Sequence, residues 1–396
     1  MDIERSAGDA AASDLKMPNP EPAASVVRGI VRLFTERFPE SGKPSVYRAP
    51  GRVNLIGEHT DYNLGFVLPI AIDFATYAAV APNREGKLRI RSENLDQTRE
   101  WPVADVPGLT PAHDWTDYAI GVARQIPHLR ALDVLISSTV PVGAGLSSSA
   151  ALEISVALAL GADARGVELA KMGRRSENDF VGIPCGIMDQ YVSVCGRAGA
   201  AIKIDCRSLD HETVFLPQGV SIVVVNTMVK HELSGSAYRD RVRECAEAAS
   251  AIGVASLRDA KLEQLDLVRD PIAKNRARHV ISEDLRVEQF VKAAARGDSA
   301  ELGRLFVASH RSLQHDYEVS CEELDFLVDT AVGIPGVYGA RMTGGGFGGC
   351  TVNLLDAGTG DRFESEIRSA YQKRFGIAAE IYRVQPSAGA GKIAGE

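Results

Sequence analysis

The chain has 396 residues, of which 45% are hydrophobic and 24% are charged, and its formal net charge is −8. This length and composition predict a globular protein of two domains. The negative charge is spread along the chain, which argues against a nucleic-acid partner. The longest apolar run, residues 150–160, is too short to span a bilayer.

Both ends of the chain have compositions typical of disorder. Residues 1–22 are rich in Ala, Pro, Asp and Ser and carry acids where a signal peptide needs bases, so we expect a disordered N-terminal segment and no targeting signal. The Gly, Ala and Ser of residues 387–396 predict a disordered tail. Six cysteines without a CxxC pair are typical of reduced thiols in a cytoplasmic protein and do not suggest a metal site.

Helices and strands mix along the chain without a regular βαβ alternation. Apolar spacing predicts helices over residues 24–38, 150–160, 168–179, 238–252, 287–296 and 300–313. β-Branched and alternating runs predict strands over residues 45–49, 76–81, 88–91, 131–140, 220–225 and 351–355. The predicted fold class is α+β, with an N-terminal domain over residues 23–210 and a C-terminal domain over residues 211–386.

A loop rich in glycine and serine, residues 143–149, joins a predicted strand to a predicted helix. Its glycines allow backbone N–H groups to turn toward a ligand, and a helix N-terminus attracts anions. No Lys follows the glycines, so the loop differs from the Walker pattern. The loop indicates either a phosphate-binding cradle or a Ser N-cap on a buried helix, and its residues alone leave both open.

Two further segments carry polar groups suited to a sugar or a proton. The segment after the first predicted strand brings together Arg52, Glu58, His59 and Asp61, which suit hydrogen bonds to sugar hydroxyls but also suit structural roles. Asp189 lies in a predicted loop among Pro, Gly, Ile and Met. A carboxylate in such surroundings needs a partner such as Arg52, which would keep it ionised and ready to accept a proton; the alternative is that Asp189 bonds its own backbone.

A glycine run over residues 344–349 costs more backbone entropy than a turn requires, and it predicts close approach of the backbone to a ligand.

Residues 52–61, 141–150 and 342–350, in that order, resemble three signatures of the family of galactose, homoserine, mevalonate and phosphomevalonate (GHMP) kinases. Residues 51–62, 185–190 and 316–320 are similar to the members that phosphorylate galactose. The resemblance implies an N-terminal domain like domain 2 of ribosomal protein S5, a ferredoxin-like C-terminal domain, and an active site between them.

The resemblance also implies a reaction and a set of site residues. The chain would phosphorylate galactose at its anomeric hydroxyl with ATP and Mg²⁺, the entry step of galactose catabolism. Asp189 would accept the proton of that hydroxyl, beside Arg52, which would also stabilise the transferring phosphoryl group. Galactose would be held by Glu58, His59, Thr60, Asp61 and Tyr238. ATP would be bound by Gly143, Ala144, Gly145, Leu146, Ser147, Ser148 and Ser149, with Ser92 and Trp115 near the adenosine. Mg²⁺ would be held by Ser149 and Glu177, and the choice of Ser149 over Ser148 stays open.

Two other functions stay open at this point. A related kinase would act on N-acetylgalactosamine, arabinose or galacturonate, because the volume of the sugar pocket cannot be read from the residues. A non-catalytic sensor of galactose and ATP would lack part of the phosphate loop, whereas residues 147–151 show no such gap. We expect a monomer that binds a small-molecule substrate and neither nucleic acid nor membrane.

Overall fold

The computed structural model describes residues 23–141, 143–230 and 234–393. Within these residues the helices are α1 (Ala23–Arg37), α2 (Thr116–Ala123), α3 (Ser148–Ala159), α4 (Gly166–Arg175), α5 (Met188–Cys195), α6 (Ser234–Ile252), α7 (Pro271–Ala295), α8 (Ser299–His315), α9 (Glu322–Val332) and α10 (Gly360–Phe375). The strands are β1 (Ser45–Asn54), β2 (Phe66–Val67), β3 (Pro69–Pro82), β4 (Lys87–Ser92), β5 (Gln97–Pro102), β6 (Leu132–Ser138), β7 (Ala201–Asp205), β8 (His211–Val214), β9 (Val220–Lys230), β10 (Val337–Thr343), β11 (Gly348–Asp356), β12 (Glu380–Val384) and β13 (Gly391–Lys392). The predicted α+β class is confirmed, and the predicted N-terminal disorder lies outside the described residues.

The first sheet has the order β13-β1-β3-β6-β4-β5 and is covered by helices on both faces. Successive side chains of a strand point to opposite faces, and β3 shows this directly. Tyr77 and Ala79 pack with Phe34 of α1, whereas Ala78 and Val80 pack with α2 and α3. Burial on both faces explains why β3 is apolar along almost its whole length.

The second sheet has the order β10-β11-β9-β12, and all its neighbouring strands are antiparallel. This order is that of the predicted ferredoxin-like fold. Ile222 and Val224 of β9 face α7 and α8, whereas Val223 and Val225 face α9 and α10. The cluster on the α7 side continues into the first half of the chain through Val53, Leu55, Ile56, Leu68 and Ile70. The two halves therefore share one core, which fixes the cleft between them.

A small third sheet, β2-β7-β8, spans the predicted boundary between the domains. β7 and β8 pair with each other in antiparallel fashion, with β7 before the predicted boundary after residue 210 and β8 directly after it. The division of the chain at this point stays a proposal.

The predicted disorder of the tail is wrong for residues 387–393. β13 pairs with β1, and the backbone N–H of Ser387 donates to the Ala71 carbonyl oxygen at 2.8 Å. A Cβ on Gly389 would lie 2.2 Å from the Val194 carbonyl oxygen. The small residues of the tail therefore permit close packing against the C-terminal end of α5 as well as pairing with the sheet.

Other elements also differ from the predictions. Asp189 lies in the first turn of α5 and not in a loop. The first half of α7 was not predicted, because buried polar residues such as Arg276 and Glu283 interrupt its apolar period. Among the described helices, none combines the length and the apolar character needed to traverse a bilayer. All six cysteines are free, and the cytoplasmic location stays a prediction.

Candidate active site

The loop rich in glycine and serine connects β6 to α3 and lines a cavity of about 410 Å³, here called the loop cavity. Gly143, Gly145 and Ser147 have positive φ angles of 79°, 72° and 60°, and the buried Ala144 and Leu146 anchor the loop between them. α3 begins directly after this loop, and its first turn lines the same cavity, where a helix N-terminus favours an anion. Ser147 makes no capping hydrogen bond, so the geometry supports a cradle for phosphate over the N-cap alternative.

The glycine run between β10 and β11 forms the opposite wall of the loop cavity. Gly344 and Gly346 have φ angles of 88° and 84°, and a Cβ on Gly346 would meet the Val319 carbonyl oxygen at 2.3 Å. A Cβ on Gly345 would meet nothing closer than the Tyr238 ring at 4.0 Å. Part of the run is thus required by packing and backbone conformation, and Gly345 keeps the wall open to a ligand.

Arg52 and Asp189 form a two-point ion pair on the wall that the loop cavity shares with a second cavity of about 450 Å³, here called the sugar-side cavity. Nε and Nη2 of Arg52 donate to the two carboxylate oxygens of Asp189 at 2.8 and 2.7 Å, and Nη1 donates to the Gly145 carbonyl oxygen at 2.6 Å. The Ser147 hydroxyl also donates to Asp189. The side chain of Arg52 is 8% exposed and that of Asp189 is 28% exposed, so the carboxylate is held in place and still accessible.

Glu58 joins the first motif to the glycine run inside the sugar-side cavity. Its Oε1 accepts hydrogen bonds from the Thr343 hydroxyl at 3.1 Å and from the Gly344 backbone N–H at 2.8 Å. The guanidinium of Arg341 lies 3.5 Å away. Two motifs far apart in the chain therefore meet through one buried carboxylate.

His59 presents an unpartnered ring nitrogen at the wall of the sugar-side cavity. Its φ angle is 62°, and its Nδ1 lies 2.9 Å from the Tyr62 hydroxyl, which lies 2.6 Å from the Tyr317 hydroxyl. Nε2 is buried and makes no well-formed hydrogen bond within the described residues, although the Gly345 backbone lies close enough to the ring to act on its pKa in the upward direction. Burial, followed by the charges of His279 and Arg241, lowers the pKa of His59 to about 3, so the ring is neutral.

Asp61 and Tyr238 complete the polar wall of the sugar-side cavity. The backbone of Gly186 comes so close that a Cβ there would lie 1.5 Å from Asp61 Oδ2. Burial and the nearby charge of Asp189 raise the pKa of Asp61 to about 6. A glycine at position 186 is therefore required for this carboxyl to hold its position.

Glu177 lies beside the start of α3, in a π-helical turn that follows α4. It lies close enough to the Ser149 hydroxyl for that group to lower its pKa, and it accepts a hydrogen bond from Gln190 Nε2 at 2.7 Å. Burial and the charge of Asp189 raise the pKa of Glu177 to about 7. Gln190 Nε2 also donates to Glu153 Oε2 at 3.0 Å. The sequence analysis missed Gln190 and Glu153, although a glutamate inside the apolar run of α3 was a signal.

Six of the expected site residues do not line either cavity, namely Thr60, Ser92, Trp115, Ala144, Leu146 and Glu177. Thr60 is fully buried, and its hydroxyl, which has one proton to donate, lies 2.9 Å from the Gly57 carbonyl oxygen and 2.6 Å from the Phe66 carbonyl oxygen. These contacts give Thr60 a structural role, and its contact with a sugar stays a prediction. Ser92 accepts a hydrogen bond from the Leu95 backbone N–H at 3.3 Å, and Trp115 Nε1 donates to Gln97 at 2.9 Å. The adenosine contacts of Ser92 and Trp115 stay predictions.

Three family signatures match successive parts of the chain. The galactokinase galactose-binding signature matches residues 32–82. The GHMP kinases N terminal domain matches residues 117–197, and the GHMP kinases C terminal domain matches residues 290–373. These ranges include the first motif, the phosphate loop with Glu177 and Asp189, and the glycine run.

Whole-chain comparisons agree with these signatures. The galactokinase of Homo sapiens is 43% identical over 91% of this chain and 94% of its own length, and that of Roseiflexus sp. (strain RS-1) is 43% identical over 88% and 93%. The crystal structure of Lactococcus lactis galactokinase complexed with galactose matches with a TM-score of 0.88 at 33% identity, covering 93% of this chain and 100% of that one. The Methanococcus jannaschii mevalonate kinase, with a TM-score of 0.66 at 18% identity over 87% and 99%, shares the fold. The chain belongs to the galactokinase family of the GHMP kinases.

Proposed function

We propose that this chain transfers the γ-phosphoryl group of ATP to the anomeric hydroxyl of galactose. The observation that carries the proposal is the position of the Arg52–Asp189 pair on the wall shared by the two cavities. The loop cavity offers backbone N–H groups, hydroxyls and a helix N-terminus, which suit phosphates. The sugar-side cavity offers carboxylates, a neutral imidazole and a tyrosine, which suit hydroxyls. Asp189 thus lies where a sugar hydroxyl and a phosphoryl group would meet.

In the proposed reaction Asp189 accepts the proton of the anomeric hydroxyl. The sugar oxygen forms its bond to the γ-phosphorus while the bond from that phosphorus to the β,γ-bridging oxygen breaks, and ADP leaves. The two hydrogen bonds from Arg52 orient the carboxylate, and the guanidinium lies where its charge offsets that of the carboxylate. The guanidinium charge also offsets charge on the transferring group, because phosphoryl transfer depends mainly on positioning and electrostatics.

The residues around Ser149 fit a magnesium ion that binds together with ATP. No group of three or more His, Cys, Asp or Glu side chains able to hold a metal occurs in the described ranges. Mg²⁺ does not require one, because it keeps water and phosphate oxygens among its ligands. Ser149 and Glu177 are neighbours, and both offer hard oxygen ligands. These two residues would hold the ion, which would neutralise charge on the phosphates.

Recognition of galactose would rest on four side chains of the sugar-side cavity, namely Glu58, His59, Asp61 and Tyr238. The unpartnered Nε2 of His59 needs a hydrogen bond that the described protein does not supply. A sugar hydroxyl beside it would remove that cost of burial. The carboxyl of Asp61 would fix a second hydroxyl, which sets the orientation of the ring.

Product analysis with galactose and MgATP tests the proposal. A coupled assay measures ADP release, and ³¹P NMR identifies the carbon that carries the new phosphate. We expect galactose 1-phosphate and ADP in equal amounts, and phosphate on any other carbon would refute the assignment. N-acetylgalactosamine, arabinose and galacturonate in the same assay test the related kinases. Binding of galactose and ATP without turnover would indicate a sensor.

A further inference from the structure

Gln190 connects two carboxyl groups that belong to different helices. It lies next to Asp189 in the first turn of α5, and its side chain is completely buried. Its Nε2 donates to Glu177 Oε2 at 2.7 Å and to Glu153 Oε2 at 3.0 Å. A primary amide nitrogen carries two protons, so both donors are used. In this orientation the amide oxygen is buried and has no hydrogen-bond partner among the described residues, so the contacts with the two carboxyl groups hold the side chain.

Glu153 is the inner end of this connection. It is 0% exposed and lies in α3, the helix that begins at the phosphate loop. A buried carboxyl is costly unless it is hydrogen-bonded, and an apolar residue would pack in the same helix without that cost. The bond to Gln190 therefore gives Glu153 a role beyond packing, because it holds the amide in place from the side opposite Glu177.

We infer that Gln190 is a positioning residue that fixes Glu177 for a metal-bound nucleotide, with Glu153 as the second anchor of its amide. The inference rests on the proposed function. With one oxygen of Glu177 held by Gln190, rotation of the carboxyl is restricted beside Ser149. Because Asp189 and Gln190 are consecutive, the start of α5 orients both the proposed base and a proposed metal ligand.

Nucleotide binding with and without metal tests this role without relying on turnover. Gln190→Met removes both donors at nearly constant volume. Isothermal titration calorimetry without sugar compares MgATP with ATP in excess EDTA. We expect the MgATP affinity to fall about 10- to 100-fold, the effect typical of losing a residue that orients a metal ligand. The affinity for metal-free ATP should stay within about twofold.

Two variants serve as controls for this experiment. Gln125→Met is matched, because the Gln125 amide nitrogen also donates to two acceptors, the Gly121 and Met172 carbonyl oxygens at 3.0 and 2.9 Å, away from both cavities. It should leave both affinities unchanged. Glu153→Gln keeps an acceptor for Gln190 and should retain MgATP affinity within about threefold.

The outcomes separate positioning from a general effect on the fold. Equal weakening of MgATP and metal-free ATP, or no weakening of either, would overturn the inference. If circular dichroism shows that Gln190→Met is unfolded, Gln190→Asn replaces it, because its shorter side chain cannot reach both carboxyl groups. For this variant too, we expect the affinity for MgATP to fall while the affinity for metal-free ATP is retained. Failure of the wild-type chain to phosphorylate galactose would refute the proposed function, whereas the metal-dependent split is measured without galactose and stands or falls separately.

Discussion

Replacing Asp189 with Asn tests the proposed base with little change of shape. The amide oxygen can still accept the bond that Arg52 Nε now makes at 2.8 Å. The amide NH₂ would face Arg52 Nη2 and the Ser147 hydroxyl, both of which donate to Asp189 Oδ2. The variant therefore loses two hydrogen bonds to the carboxylate, those from Arg52 Nη2 and from Ser147, and the buried guanidinium loses its counter-ion.

The structure separates the expected effect on rate from that on stability. A positioned general base contributes about 10²- to 10⁴-fold, which corresponds to about 3–5 kcal/mol of activation free energy. Removing one partner of a fully buried ion pair costs about 3–5 kcal/mol of folding free energy. Asp189 is 28% exposed and its replacement keeps one bond, so we expect the smaller loss of about 1–3 kcal/mol.

The assays are kcat by coupled ADP release, ATP affinity by calorimetry and the free energy of unfolding in urea. For Asp189→Asn we expect kcat to fall about 10²- to 10⁴-fold while ATP affinity stays within a few-fold. Asp179→Asn is the matched control, because Asp179 is exposed on the neighbouring π-helical turn, and it should leave all three quantities unchanged. A kcat for Asp189→Asn within about tenfold of wild type would refute its assignment as the base.

Two further substitutions test the sugar-side wall and a buried carboxyl. Gly186→Ala places a Cβ 1.5 Å from Asp61 Oδ2 and displaces that carboxyl. KM for galactose should rise about tenfold or more while ATP affinity stays constant. Gly108→Ala is the control, because no atom lies within 4 Å of the added Cβ, and it should change neither KM for galactose nor ATP affinity. Asp284 accepts a hydrogen bond from the Phe66 backbone N–H, and burial raises its pKa from 3.8 to about 7. The folded protein therefore favours the protonated carboxyl, and the contribution of Asp284 to stability is present below pH 4 and is lost as pH rises to 7. Asp284→Asn should therefore gain on the order of 4 kcal/mol of unfolding free energy relative to wild type between pH 4 and pH 8, and a difference independent of pH would contradict the burial argument.

The motifs made of consecutive residues could be found from the sequence, because neighbouring residues within each motif determine its conformation. Glycines at positions 143 and 145 take positive φ angles, and the serines that follow start a helix. The pairing of Arg52 with Asp189 spans 137 positions, and chemistry suggested it only because a carboxylate in apolar surroundings needs a cation. The hydrogen bond from Ser147 to Asp189 carries no such signal, because a serine in that loop equally suits phosphate.

The features that the sequence did not predict depend on contacts between elements. Arg276 occupies a buried position of α7 because Glu244 of α6 pairs with it at 2.8 Å. Glu283 is buried in the same helix because the Ser309 hydroxyl of α8 donates to it at 2.6 Å, and these polar positions hide the helical period. The tail has the composition of disorder, yet Gly389 packs against backbone where a side chain would not fit. In each case the structure of the segment depends on a residue that is distant in the sequence. The residues of the segment itself therefore do not predict it.

The charges of the site together favour a nucleotide that arrives with its metal. After burial, the charge of Asp189 is the main cause that raises the pKa of both Asp61 and Glu177, so Asp189 repels a carboxylate at either position. His59 adds no positive charge, because its pKa is lowered to about 3. A triphosphate without a cation would increase this repulsion, and Arg52 is already engaged with Asp189. An ion beside Ser149 would offset the negative charges of both the phosphates and Glu177. By orienting Glu177, Gln190 would then determine how tightly the protein binds the nucleotide together with its metal.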